Sequence, residues 1–132
     1  MNIAVCIDKE CGMMFFGRRQ SMDRVLREKM LSLTSGKLFV NEFTADQFES
    51  KEKLYISENF LDEAGEEDLC FVENTSFNIN KVNTLYIFNW NRRYPSDFKF
   101  NYDLSGFKKQ KTENFEGSSH PKITMEIYKK KD

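Results

Sequence analysis

Thr84-Leu85-Tyr86-Ile87-Phe88-Asn89-Trp90, then Asp97-Phe98-Lys99-Phe100, and last Ile123-Thr124-Met125-Glu126-Ile127-Tyr128: the order of these stretches decides the fold. The first is a near-continuous run of apolar and aromatic residues, as a strand covered on both faces requires. In the last, Ile123, Met125 and Ile127 alternate with Thr124, Glu126 and Tyr128, which is the period of a strand. Between them stand Leu104-Ser105-Gly106-Phe107 and Thr112-Glu113-Asn114-Phe115-Glu116. The segment 106–115 is predicted to pair with the last strand as an antiparallel hairpin, across the loop Glu116-Gly117-Ser118-Ser119-His120-Pro121.

Upstream, strands alternate with helices. Ile3 to Ile7 is a short apolar run, read as a buried strand. Asp8 to Gly17 reads as a loop carrying the apolar block Met13-Met14-Phe15-Phe16, and Arg18-Arg19-Gln20 leads into a helix. Ser21 is the expected N-cap, with Asp23 in the first turn, where a carboxylate suits the helix dipole. Met22, Val25, Leu26, Met30 and Leu33 recur at helical spacing, and Ser35-Gly36 ends the helix. Lys37 to Phe43 is a second strand, and Thr44 is expected to cap a helix from Ala45 to Ser50. Lys53 to Ser57 is a third strand. Ser57 is expected to cap a helix through Phe60, Leu61 and Ala64, which Gly65 stops. Leu69 to Glu73 is a fourth strand. Alternation of this kind predicts a largely parallel sheet with helices against it.

The chain has 132 residues, 39% of them hydrophobic and 14% aromatic, enough for one core, and no linker or repeat divides it. A single domain over 1–132 is therefore expected. A net charge of −1 with 31% charged residues favours no polyanionic partner, so DNA is not expected. No stretch reaches the ~20 apolar residues that span a bilayer. Met1 to Asp8 lacks a basic n-region and cleavage site. Cys6, Cys11 and Cys70 have no paired-metal spacing, so reduced thiols and a cytoplasmic location are expected, with no metal.

The tail, with its acidic-aromatic link Asp97-Phe98, resembles the C-terminal third of dihydrofolate reductases. Ile3 to Asp8, Gly12 and Asp23 follow the order of that family's first strand, glycine-containing loop and helix carboxylate. The resemblance implies a three-layer α/β/α domain around a central mixed sheet. It also implies that Asp23 would anchor a pterin and assist its protonation. Other motifs depart. The family's Gly-Arg-x-Thr, whose Arg meets the cofactor phosphate, reads Asn41-Glu42-Phe43-Thr44. Its Gly-Gly pair against the nicotinamide reads Glu73-Asn74. Its Leu-Pro-Trp beneath the pterin falls near Arg18-Arg19-Gln20. Each change strikes a different part of the reductase site, so no cofactor is expected. The run Gly-Met-Met-Phe, Arg-Arg-Gln-Ser, Asp-Arg-Val-Leu is also similar to a group of small bacterial proteins, some labelled ribonuclease Z. That label implies a two-zinc centre with several His ligands, which one His, at 120, cannot build.

Several residues admit two readings. Asp23 is either a pterin anchor, and thus the candidate catalytic residue, or a first-turn carboxylate serving the dipole or pairing with Arg19 or Arg27. Arg18, Arg19, Arg24 and Arg27 are either a phosphate or carboxylate site or a solvated face with pairs such as Arg24–Glu28. The apolar loop 13–16 would line a pocket, pack on the sheet or meet a partner. Lys108, Lys109, Lys111 and Lys129 to Lys131 read as a charged edge guarding against sheet pairing. His120 is read as a loop residue, since no triad spacing surrounds it. Three functions follow. The first is a binding or interaction domain whose small anionic ligand lies near Gly12, Arg18, Arg19 and Asp23, where strand C-termini place ligands in α/β sheets. The second is a divergent NADPH-dependent reductase of a pteridine-like substrate. The third, an RNA-associated protein, rests on the basic patches alone. No feature of the sequence sets an oligomeric state.

Overall fold

In the computed structural model, which describes residues 1–132, the parallel half of a seven-stranded sheet forms from the N-terminal two thirds of the chain. The strands of this sheet are β1 (Asn2–Ile7), β4 (Leu38–Val40), β5 (Leu54–Ile56), β6 (Leu69–Phe71), β7 (Thr84–Asn89), β9 (Phe107–Phe115) and β10 (Ile123–Lys130). Their order is β5-β4-β6-β1-β7-β10-β9, parallel from β5 to β7 and antiparallel from β7 to β9. The sheet is mixed, with the antiparallel C-terminal hairpin at one end. The helices are α1 (Arg24–Ser32), α2 (Glu42–Ala45) and α3 (Phe60–Glu63), with a 3-10 turn at Ile79–Lys81. None is long and apolar enough to cross a membrane.

Two cores lie on opposite faces of the sheet. Ala4, Phe71, Phe88 and Met125 face Leu26 and Met30 of α1 and Ala45 of α2. Ile3, Val5, Val72 and Leu85 face Phe60 of α3, Met13, Phe77 and Phe100. β1 serves both faces because successive strand residues point to opposite sides, and each side is covered. β9 is the sheet edge, and Lys108, Lys109 and Lys111 stand exposed on it. Phe107 is buried at its start.

Local details differ from the sequence expectations. The block 13–16 is not a loop. Gly12–Phe15 forms β2, Arg18–Arg19 forms β3 and Phe98–Lys99 forms β8, and these make a separate sheet in the order β3-β2-β8. Phe16 (φ 50°) and Gly17 (φ 71°) form the turn of this hairpin. Positive φ at both central residues is the geometry that matches strand twist. Met13 and Met14 are buried, whereas Phe16 is 76% exposed. Ser21 does not cap α1. Asp23 does, its Oδ1 accepting from Leu26 N at 3.1 Å. Asn41, not Thr44, caps α2, which is one turn over Glu42–Ala45 and not a helix over 45–50. Ser57 does not cap α3: the N-cap is Asn59, which makes no side-chain cap bond, and Ser57 Oγ accepts from Asn59 N at 3.1 Å instead. The strand predicted at 37–43 shrinks to Leu38–Val40, and the acidic-aromatic link at 97–100 contains the two-residue strand Phe98–Lys99.

Candidate functional site

Asp8, Asn41 and Glu73 follow the C-terminal ends of the parallel strands β1, β4 and β6 within two residues, and all three side chains are buried. Buried polar groups require partners, and the partners define the site. Asp8 accepts from Gly12 N at 2.7 Å, from Glu10 N and Tyr94 N at 2.9 Å each, and from Gln20 Nε2 at 3.3 Å. Burial pushes its carboxyl pKa up, but these donors outweigh burial and hold it below the ordinary value. Gly12 is required by space: a Cβ there would stand 2.5 Å from Gln20 Nε2 and 2.7 Å from Ser96 Cβ.

Asp23 and His120 form the most deeply buried ionisable pair, with side chains 0% and 4% exposed. Asp23 Oδ1 accepts from Leu26 N and from Ser118 N at 3.0 Å. Its Oδ2 accepts from Ser119 N at 2.9 Å, from Ser119 Oγ at 3.2 Å and from His120 Nδ1 at 3.0 Å. Burial raises the carboxyl pKa, but the Ser119, His120, Ser118 and Leu26 donors overcome it and hold the carboxyl far below the usual range. The loop Gly117–His120, which joins β9 to β10, is thereby clamped over the start of α1. Gly117 is where loop backbone meets carboxylate: a Cβ there would lie 2.7 Å from Asp23 Cγ. The imidazole stacks on Trp90, ring centroids 4.6 Å apart. Its Nε2 lies 2.9 Å from Ser21 Oγ and 3.4 Å from Tyr94 Oη. With Nδ1 donating to Asp23, Nε2 is left to accept from the hydroxyls, a tautomer inferred from this network.

Arg19 occupies the mouth between β4 and β6. Its Nε and Nη2 meet Glu73 Oε2 and Oε1 at 3.1 and 3.2 Å, a bidentate pair. Nη2 also donates to Phe43 O at 2.8 Å, and the guanidinium lies 4.3 Å over the Phe43 ring. Gln47 Nε2 completes the cluster at 3.0 Å from Glu73 Oε1. Burial, with the charge of Glu73, pushes the Cys6 thiol well above its ordinary pKa. Burial likewise takes Cys70 up to about 12. Cys11 is exposed.

Gly12 and Asp23 thus join one polar network, through Asp8, Tyr94 and His120. Arg19 turns to Glu73 and not to Asp23, and it belongs to a β-hairpin rather than to a helix entry. Arg18 is exposed on the same hairpin and makes no ion pair. Asp23 pairs with neither Arg19 nor Arg27. Arg24 forms the expected pair with Glu28, at 3.0 Å. His120 does lie in the loop between β9 and β10, but buried there as a hub, and it makes Ser–His–Asp connectivity with Ser21 and Asp23. Sequence spacing could not reveal this, because such sets are recognised by geometry and not by position. No group of three or more His, Cys, Asp or Glu could hold a metal ion.

No family model and no curated protein matches the sequence. Among solved structures, the chain is similar to the dihydrofolate reductase from Enterococcus faecalis complexed with NADP(H) and RAB-propyl. The TM-score is 0.69 at 15% identity, over 100% of this chain and 97% of that one. The fold is dihydrofolate reductase-like.

Proposed function

We propose that this chain is a binding or interaction domain on a dihydrofolate reductase-like scaffold, without NADPH-dependent reductase activity. The observation that carries the reading is the internal saturation of Asp23, whose two oxygens accept from Leu26, Ser118, Ser119 and His120. A pterin anchored there would have to displace the Gly117–His120 loop. Each buried donor left without a partner would cost about 1–3 kcal/mol. The cofactor side is filled in the same way. Where the family has a Gly-Gly pair, Glu73 carries the Arg19 guanidinium and the Gln47 amide. The ligand this reading favours is a small anion. Arg18 is exposed at the hairpin and makes no ion pair, whereas Arg19 is already committed to Glu73.

A titration with NADPH tests this, following Trp90 fluorescence and the thermal midpoint together. Trp90 stacks on His120, so its emission senses any rearrangement around Asp23. The expected result is no saturable change with NADPH. A ligand at a hundred times its Kd would stabilise the fold by about 2.7 kcal/mol. Saturable binding with a raised midpoint would overturn the reading and establish a working cofactor cleft. Pyrophosphate in the same assay probes the anion, with Arg18→Ala as its control.

A further inference from the structure

We infer that Ser21, His120 and Asp23 form a nucleophile–base–carboxylate relay able to accept an acyl group from a small activated ester, with Tyr94 as a donor to the developing oxyanion. The inference is independent of the reading above, because neither NADPH nor a pterin enters it. The connectivity is the one acyl transfer needs: Ser21 Oγ on Nε2 at 2.9 Å, and Asp23 Oδ2 on Nδ1 at 3.0 Å. Trp90 fixes the plane of the ring by stacking, and the buried carboxylate fixes its tautomer. The carboxylate's own hydrogen bonds close the loop onto α1 without help from Ser21. Ser21 is half-buried, whereas the Asp23 and His120 side chains are buried, so of the three it is the least enclosed. Tyr94 Oη lies 3.4 Å from the same nitrogen, which places a second hydroxyl beside Ser21 Oγ.

In the forward step Ser21 Oγ forms a bond to the acyl carbon and its proton passes to Nε2. The carbonyl electron pair moves onto oxygen, beside the Tyr94 hydroxyl. Collapse then breaks the bond to the leaving alkoxide or phenoxide, which takes the proton from Nε2. Water repeats the sequence on the acyl-serine. Its proton moves to Nε2 and on to Ser21 Oγ, and a carboxylic acid is released. No surface cavity is lined by Ser21. The acyl group must therefore be short, with its leaving group held in solvent. In this arrangement Ser21 and His120 are catalytic, and Asp23 is a positioning residue.

The test is covalent. The protein is incubated with 4-nitrophenyl acetate and, separately, with a fluorophosphonate, and the modified residue is mapped by peptide mass spectrometry. The expected result is one group per chain on Ser21. Modification should vanish in Ser21→Ala and slow on the order of 10²-fold in His120→Gln, as loss of a general base implies. Far-ultraviolet circular dichroism and a cooperative thermal transition check that each variant is folded. In Asp23→Asn, read at low temperature on folded protein, labelling of Ser21 should slow by orders of magnitude, because the imidazole loses the group that fixes its tautomer. A purely structural Asp23 would leave the labelling rate of the folded protein in place. Folded wild-type protein that is unmodified at Ser21, or equal rates in His120→Gln, would overturn the inference and leave the three residues as a structural clamp.

Discussion

Asp23→Asn removes the charge at the centre of the clamp while keeping shape, so its cost can be worked from named bonds. The amide oxygen can still serve Leu26 N and Ser118 N if it takes the Oδ1 position. The NH2 then replaces Oδ2 and meets three donors: Ser119 N at 2.9 Å, Ser119 Oγ at 3.2 Å and His120 Nδ1 at 3.0 Å. The hydroxyl can rotate and the imidazole can change tautomer, but the Ser119 N–H cannot turn away. One unpaired buried N–H costs about 1–3 kcal/mol, and weaker bonds elsewhere add about 1 kcal/mol. The total, about 2–4 kcal/mol, is less than the ~5–15 kcal/mol stability of a typical domain, so the fold should persist at 25 °C. Urea unfolding at neutral pH should show an earlier midpoint with an unchanged slope.

Acid adds an independent signature. The folded carboxyl titrates far below the unfolded value of 3.8. Its contribution to stability is therefore present above that value and is lost as pH falls below about 4, where the unfolded chain takes up a proton that the native chain refuses. One such proton corresponds to about 1.4 kcal/mol per pH unit. Between about pH 4 and pH 2 the Asn variant should lose stability less steeply than wild type by up to that amount. A change under about 0.5 kcal/mol at pH 7, together with an identical acid slope, would refute the clamp as described.

Gly117→Ala should lower the thermal midpoint by several degrees, corresponding to about 1–3 kcal/mol of overpacking against Asp23. Gly106→Ala, where a Cβ would meet nothing within 4 Å, serves as the neutral control, and equal midpoints for the two would sink the prediction. In a double-mutant cycle, Arg19→Ala and Glu73→Ala should each be destabilising, with a coupling of about 1–3 kcal/mol because the two share one buried ion pair. Additive losses would show that the pair does not close the mouth between β4 and β6.

The strand order at both ends of the chain was legible because apolar runs and strict alternation report burial on two faces or one. Met30 and Leu26 likewise revealed the buried face of α1. The N-cap was not legible. Ser21 and Asp23 are both good caps by local chemistry, and the choice is made by Ser118 and Ser119, which lie 95 and 96 residues from Asp23. The β2–β3 hairpin was hidden because its turn places Phe16, an unfavoured residue, at positive φ. Asp97, 81 residues on, holds that turn through the Phe16 N–H at 3.1 Å. Asn41 outcompeted Thr44 as a cap because the chain leaves β4 three residues earlier than the apolar pattern suggests. Among candidate site residues, Asp23 was named for a family role, whereas Glu73 and His120 acquire meaning only from partners far away in sequence. Arg19 was singled out as an anion binder, and in the fold its guanidinium is taken by the chain's own Glu73.

The contact between His120 and Asp23 spans 97 residues. On a ribosome adding ~5–20 residues per second, roughly 5–20 s separate the emergence of these two partners. During that interval α1 has its cap but no clamp, and the face carrying Leu26 and Met30 lacks Met125 to complete its cover. β10 lies inside the sheet between β7 and β9, so the nascent chain also carries two unpaired strand edges until 123–130 emerge. Native structure in this protein is therefore a late event of synthesis, and the waiting intermediate is the species most exposed to chaperones and proteases.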